Sequence, residues 1–232
     1  MKKKYIVFIP ARGGSKGIPL KNIKKFIDKP LIEHSIDYAK QSKKVNDIIL
    51  STDNNDIKKI ALENNIIVLD RPDDISGDKA STESAIEHLV NSQNFNNNDI
   101  IILLQPTSPL RPKNTLDLMI NRFEKGQYDC MLTLSPIHPL TWKIKTNPKS
   151  MYDYSNRPRR QDFKEEDMIY DENGSVYIFT VKSFLKYKNR LGGKIGHYIF
   201  EEVYGKQIDT HLDFKILETI ALYIDRNENE KN

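Results

Sequence analysis

Tyr5-Ile6-Val7-Phe8-Ile9-Pro10-Ala11-Arg12-Gly13-Gly14-Ser15-Lys16-Gly17-Ile18-Pro19-Leu20-Lys21-Asn22 begins as a short apolar run and ends as a glycine-rich, cationic loop. The run predicts a buried strand. The loop after it can bring backbone N–H groups and the side chains of Arg12, Lys16 and Lys21 close to an anion, because the glycines leave no Cβ in the way of phosphate. The spacing is not that of a P-loop, since no Gly-Lys-Ser/Thr follows, and the Gly-x-Gly-x-x-Gly dinucleotide pattern is also absent. Taken alone, the stretch fits an ordinary solvated turn as well as a polyphosphate site; the rest of the chain decides between them.

The same pattern repeats downstream. Segments 47–50, 66–69, 100–104 and 130–134 read as further strands, with 175–179 and 197–203 following later. Between them run amphipathic stripes. Leu31, Ile32, Ile36 and Ala39 form one, with Pro30 suited to the first helical position; Ile57, Ile60 and Ala61 form a second. Ala85, Ile86, Leu89 and Val90 make a third, Leu116, Met119, Ile120 and Phe123 a fourth, and Phe214, Leu217, Ile220, Ala221 and Ile224 a closing helix. Repeated strand-helix units predict an α/β fold, a mostly parallel sheet with helices on both faces. Ligands in such sheets bind beyond the carboxyl ends of the strands. The polar motifs obey that rule: Arg12 to Asn22 follows the first strand, Ser51-Thr52-Asp53 the second, Asp70-Arg71-Pro72 the third and Gln105-Pro106-Thr107-Ser108-Pro109-Leu110-Arg111 the fourth.

At 232 residues the chain is long enough for one substantial core, so a single domain over 1–232 is expected. An irregular stretch, about 136–171, interrupts it, carrying several prolines, the basic Arg157-Pro158-Arg159-Arg160 and the acidic Lys164-Glu165-Glu166-Asp167. An excursion of that length is expected to be a lid or an interaction arm. The net charge of +4 is too mild to point to nucleic acid, so small anions are the expected ligands. Cys130, the one cysteine, lies in an apolar run and reads as a small buried hydrophobe. The basic Met1-Lys2-Lys3-Lys4 resembles the start of a signal peptide, but the apolar stretch behind it is short, and no segment approaches spanning length. A soluble, cytoplasmic protein without membrane partners is expected. Residues 94–99 read as a surface loop and 225–232 as a frayed tail.

Together these motifs resemble the acylneuraminate cytidylyltransferase family, the CMP-sialic acid and CMP-nonulosonic acid synthetases. The resemblance covers nearly the whole chain. Its anchors are the Ile9 to Asn22 loop, Ser51-Thr52-Asp53, Leu104 to Arg111, Asn173-Gly174 before a strand, and Ile208-Asp209-Thr210-His211-Leu212-Asp213. It implies a Rossmann-like nucleotidyltransferase fold with an extended dimerisation arm. Arg12, Lys16 and Lys21 then surround the triphosphate of CTP, with Asn22 near the ribose and base. Arg71 helps read the pyrimidine, its plain alternative being a surface ion pair with Asp73 or Asp74, and Ala80 and Thr82 line the base and ribose.

Asp209 is the implied Mg²⁺ ligand. Many sialic acid members carry another Asp two residues earlier, where this chain has the neutral Gln207, so Asp213 is a candidate second ligand; its alternative role is N-cap of a helix beginning near Phe214. On the acceptor side the resemblance implies Gln105, Arg160 and Tyr177, although Tyr177 at strand spacing fits the core equally well. The chain departs from the family there. Asp171-Glu172-Asn173-Gly174 stands where Arg-Pro-Asn-Gly is common, and the lysine expected after Leu140 is displaced to Lys143. These departures point to a nonulosonate other than N-acetylneuraminate, with legionaminic acid the leading choice.

The implied reaction is attack of the sugar's anomeric hydroxyl on the α-phosphate of CTP, with Arg12, Lys21 and metal-bearing Asp209 as the catalytic set. His138, His197 and His211 are available, but none occupies a position that marks a general base. A 3-deoxy-manno-octulosonate cytidylyltransferase is the nearest rival; it expects an Asp after the fourth strand, where Gln105-Pro106-Thr107-Ser108-Pro109 has none. A GTP-using synthetase and a non-catalytic nucleotide-sugar sensor stay open. A homodimer is expected, its arm exchanged across a two-fold axis.

Overall fold

The computed structural model describes residues 3–229, with the side chains of Arg160 and of residues 227–229 outside that description. Met1 and Lys2 of the basic start, and 230–232 of the expected tail, lie outside the described residues. Strand β1 (Tyr5–Pro10) leads through the glycine-rich loop and the small hairpin β2 (Lys25–Phe26) and β3 (Lys29–Pro30) into α1 (Leu31–Lys40). There follow β4 (Asp47–Thr52), α2 (Asn55–Glu63), β5 (Ile67–Asp70), α3 (Thr82–Ser92), β6 (Ile100–Leu104), α4 (Leu116–Gly126) and β7 (Cys130–Ile137). The second half adds a hairpin of β8 (Trp142–Ile144) and β9 (Pro148–Ser150), the long β10 (Ile169–Thr180), α5 (Val181–Tyr187), β11 (Ile195–Ile199) and α6 (His211–Asn229).

Seven of these strands form one sheet in the order β11-β7-β10-β6-β1-β4-β5. All its pairings are parallel except those of β10, which runs antiparallel to both β6 and β7. Side-chain alternation divides the interior into two layers. Val7 and Ile9 of β1, with Ile100, Ile102 and Leu104 of β6, face α1, α2 and α4. Ile6 and Phe8, with Ile101 and Leu103, face α3 and α5. Because both faces are covered, every residue from Ile6 to Ile9 is fully buried, which is why this strand reads as a continuous apolar run. A third cluster joins Ile18 of the first loop and Phe26 of β2 to Ile208, Phe214 and Leu217, fastening α6 over that loop. Cys130 is buried in the second layer as expected, its thiol hydrogen-bonding the Gly192 carbonyl at 3.2 Å.

Several boundaries differ from the sequence expectation. The sheet runs farther than 136–171 allowed: Pro136 pairs with Tyr170 and Ile137 with Ile169, so only 138–168 leave it. Proline is tolerated because β11 pairs with β7 only as far as Leu134, which leaves the far end of β7 an edge. The strand expected at 197–203 stops at Ile199 for the same reason and gives way to a 3-10 turn, Glu202–Tyr204. Pro30 is the cap residue before α1, at φ −52° and ψ 139°, and not its first helical residue. The expected tail is helical through Asn229. Helix α5, unread in the sequence, is capped by Thr180, whose hydroxyl accepts from Ser183 N–H at 3.0 Å. Among the described residues no helix is long and apolar enough to cross a membrane.

Candidate active site

From β1 the chain steps to β4 and β5 on one side and then returns to place β6 on the other. The loops after β1 and β6 therefore diverge, and a crevice opens between them at the carboxyl ends of the strands. A cavity of about 390 Å³ occupies that crevice. Of the residues singled out above, Arg12, Lys16, Lys21, Asn22, Arg71, Ala80, Thr82, Gln105 and Asp209 all line it. Larger cavities lie elsewhere among the described residues, about 610 Å³ around Lys3, Asp99 and Glu124, about 510 Å³ against the turn from Asp74 to Ser84, and about 490 Å³ between α1 and α6. None gathers the motifs of several strand ends, so size does not mark the site; chemistry does.

The first loop is held on all sides. Gly13 N–H donates to Asp53 Oδ1 at 2.8 Å, and the buried Asn22 amide donates to the Arg12 carbonyl at 2.9 Å. Leu20 takes up the left-handed backbone at φ 51° to bring Lys21 inward. Gly17 touches the segment that carries Asp209: a Cβ on it would stand 2.1 Å from the Asp209 carbonyl oxygen. Arg12 donates to the Gly77 carbonyl at 2.7 Å, and Asp78 lies 3.6 Å from Arg12 and 3.1 Å from Lys16, so one carboxylate faces two of the loop's cations. Lys21 donates to the Ile208 carbonyl at 2.6 Å and approaches Asp209 Oδ1 at 3.9 Å. Burial pulls the Lys21 ammonium below the usual lysine range; Asp209 opposes that effect and Arg12 adds to it.

Arg71 has no ion pair with Asp73 or Asp74. Its Nε donates to Ser51 Oγ at 3.1 Å and its Nη2 to the Ser51 carbonyl at 3.0 Å, at 8% exposure. Burial lowers its pKa to about 10, so it stays charged at neutral pH. Beside it, Ser81 caps α3 by accepting from Ser84 N–H at 3.0 Å, which sets Ala80 and Thr82 at that helix's amino end.

The Asp209 carboxylate is 74% exposed at the cavity rim, with Lys21 as its ion-pair neighbour. No group of three or more His, Cys, Asp or Glu that could cage a metal occurs among the described residues. The donor set fits a hard divalent cation completed by phosphate oxygens and water. Asp213 does not line the cavity. It stands in the first turn of α6, where its Oδ2 accepts from Asp209 N–H (3.1 Å), Thr210 N–H (2.7 Å) and the Thr210 hydroxyl (2.8 Å). In return Asp213 N–H donates to Thr210 Oγ1 at 3.2 Å, so Thr210 is the cap and Asp213 its reciprocal partner. The Thr210 hydrogen bonds hold the Asp213 carboxyl below its ordinary range.

Tyr177 is 3% exposed, belongs to the second core layer opposite Leu103 and Leu132, and does not line the cavity; its hydroxyl donates to Glu172 Oε1 at 2.5 Å. Arg160 opens a short 3-10 turn on the excursion, and its side chain lies outside the described residues. Sequence reasoning missed Arg111. It is 7% exposed, lies over the Tyr38 ring, and donates to Ser35 Oγ (3.1 Å), the Gln105 carbonyl (2.8 Å) and the Ser175 carbonyl (3.1 Å). It ties the loop after β6 to β10 and α1. Asn173, 2% exposed, is a second such anchor: its Oδ1 accepts from Thr133 Oγ1 at 2.6 Å and its Nδ2 donates to Ser135 Oγ at 3.0 Å. Its place in an Asn-Gly pair at a strand's start was the only available signal.

A family model described as cytidylyltransferase matches residues 6–226. N-acylneuraminate cytidylyltransferase A of Danio rerio is 35% identical over 92% of this chain and 50% of its own length. Post-translational flagellin modification protein B of Campylobacter coli is 31% identical over 90% of this chain and 92% of its own. The chain thus spans about half the length of the curated acylneuraminate relatives it matches. In fold it is similar to a solved CMP:2-keto-3-deoxy-manno-octonic acid synthetase complexed with CTP, with a TM-score of 0.68 over 95% of this chain and 99% of that one at 18% identity.

Proposed function

The chain belongs to the cytidylyltransferase family, and on that premise we propose that it transfers CMP from CTP to the anomeric hydroxyl of a nonulosonic acid. The carrying observation is that one crevice collects Arg12, Lys16, Lys21, Arg71, Gln105 and Asp209. In the reaction the anomeric oxygen bonds to the α-phosphorus, the bond to the bridging oxygen of the β-phosphate breaks, pyrophosphate leaves, and the hydroxyl proton passes to solvent. Arg12, Lys16 and Lys21 neutralise charge that builds on the leaving group, which needs positioned cations and no covalent intermediate. Arg71 and the Ala80 to Thr82 turn hold the pyrimidine nucleoside, with Asn22 near its ribose, and Gln105 meets the acceptor. Asp209 together with the phosphates would hold Mg²⁺, whose contribution when bound is to offset phosphate charge. Asp213 supports this arrangement through the turn that presents Asp209.

The acceptor is a nonulosonate other than N-acetylneuraminate, because Asp171 and Glu172 stand where a cation is common, and legionaminic acid is the leading choice. The excursion serves as an arm that docks on a second copy and helps close its sugar pocket. Support comes from its exposed apolar side chains, Trp142, Ile144, Met151 and Tyr154. Arg160 and Tyr177 belong to this acceptor side, Tyr177 through its bond to Glu172. The reaction is assigned to the cytoplasm, where its nucleotide is found.

Pyrophosphate release from CTP and from GTP, each with N-acetylneuraminate, legionaminic acid and 3-deoxy-manno-octulosonate, tests the reading. Release with CTP and a nonulosonate is expected. Preference for GTP, or for the octulosonate, replaces the substrate assignment, and no release with any acid returns the non-catalytic sensor. Light scattering of intact protein and of protein lacking the hairpin tests the arm; a fully active monomer refutes it.

A further inference from the structure

Beyond the nucleotide cavity, Gly174 turns through φ +65° at the start of β10's core segment. A Cβ built on it would meet Gln207 Nε2 at 2.3 Å and Gln105 Oε1 at 3.0 Å. Two primary amides from different loops therefore close over one bare Cα. Gln105 lines the nucleotide cavity, and the Gln207 amide fills the place a Cβ on residue 174 would take, so Gln207 stands beside Gln105 at the cavity's edge. Gln207 Oε1 accepts from Thr107 Oγ1 at 3.3 Å, and Ile208 N–H donates to the Thr107 carbonyl at 2.8 Å, which draws Gln207 toward the loop after β6. Among the described residues the Gln207 Nε2 donor and the whole Gln105 amide have no hydrogen-bond partner. Unspent donors and acceptors brought side by side at the edge of a cavity are the equipment of a polar subsite.

Resting on the cytidylyl-transfer reading, we infer that Gln207 is a specificity-determining residue for the acceptor, pairing with Gln105 over Gly174 to take an uncharged polar substituent, a hydroxyl or N-acyl group, of the sugar acid. It is not a ligand of the divalent cation. The chemistry separates the two roles. A carboxamide is a weak ligand for a hard cation, and its one good ligand atom, Oε1, already faces Thr107. Its free Nε2–H is matched to a carbonyl or hydroxyl oxygen, and a site that hydrogen-bonds such a group discriminates against analogues lacking it. Asp209, two residues on, keeps the metal role through an exposed carboxylate near Lys21.

The test uses the full chain as wild type, Gln207→Leu and Gln207→Glu, with pyrophosphate release followed while CTP, Mg²⁺, N-acetylneuraminate and legionaminic acid are varied in turn. Gln207→Leu removes the donor; Gln207→Glu keeps the length and the Thr107 contact but offers the metal a carboxylate. Both should raise the acceptor KM by about tenfold, while the CTP KM and the Mg²⁺ concentration for half-maximal rate stay as in wild type. An unchanged CTP KM also reports an intact fold. Acceptor KM unchanged in both variants, or a Gln207→Glu that lowers the Mg²⁺ requirement instead, overturns the inference and leaves cytidylyl transfer standing. Wild-type protein that releases no pyrophosphate overturns both together.

Discussion

Replacing Gly17 by alanine tests whether the glycine-rich loop and the segment carrying Asp209, the proposed metal ligand, are set by direct contact. The new Cβ would stand 2.1 Å from the Asp209 carbonyl oxygen and 3.3 Å from its carbonyl carbon. Real Cβ atoms essentially never come within 3.0 Å of such an atom, so one backbone must retreat by at least about 0.9 Å. Neither can yield cheaply: Ile18 beside Gly17 and Ile208 beside Asp209 are both buried in the same cluster. A misplacement of about 1 Å in a positioned catalytic group costs on the order of 100-fold in rate, and the overpacking costs about 1–3 kcal/mol of stability. The assay is kcat/KM for pyrophosphate release, with a denaturant titration alongside. Gly14→Ala is the internal comparison, because a Cβ there meets nothing within 4 Å; its kcat/KM should stay within about threefold of wild type. Wild-type kcat/KM in Gly17→Ala, or equal losses in both variants, refutes the contact's role.

Asp209→Ala should abolish Mg²⁺-dependent turnover without lowering Tm, since the carboxylate is largely exposed; turnover within a few-fold of wild type removes it from the metal site. Asp78→Asn frees Arg12 and Lys16 from an internal anion and should tighten CTP binding by about two- to fivefold, because half-exposed ion pairs contribute about 0.2–1 kcal/mol; weaker binding by calorimetry contradicts it. Arg111→Met takes the guanidinium donor from the Ser175 carbonyl, while the Gln105 carbonyl keeps Ser108 N–H, and should cost about 1–3 kcal/mol, read as a fall in urea midpoint. The Lys21 pKa lies below its ordinary value, so its charge is lost earlier than an ordinary lysine's as pH rises. The CTP KM should therefore climb on the alkaline side before free lysine titrates, and Lys21→Arg should delay that climb.

What could be read from the chain was local. The runs at Tyr5 and Ile100 announce buried strands because every residue in them is apolar, and the motif loops follow because polar groups in such sheets gather at strand ends. Nine candidate residues meet in one cavity for that reason. Long-range partners were not readable. Arg111 in a Pro-Leu-Arg-Pro stretch looks like a surface cation, and only the convergence of Ser35, Gln105 and Ser175 makes it interior. Tyr177 alternates correctly for either face, and its register against Leu103 and Leu132 assigns it to the core layer. Asp213 was read one role away from its place because Thr-x-x-Asp and a bare Asp cap look alike until the helix start, His211, is known.

The cluster that fastens α6 over the first loop also bears on the order of events during synthesis. Ile18 and Phe26 leave the ribosome well before Ile208 and Phe214, which cover them from far along the chain. A nascent chain can thus assemble β1, β4, β5 and β6 and expose Arg12, Lys16 and Lys21 to nucleotide long before Asp209 exists. Until then Lys21 lacks the Ile208 carbonyl that accepts its hydrogen bond, and the loop lacks its lid of apolar side chains. On the proposed function, catalytic competence would be timed to the emergence of this helix, and a chain stalled before it would bind nucleotide without turnover.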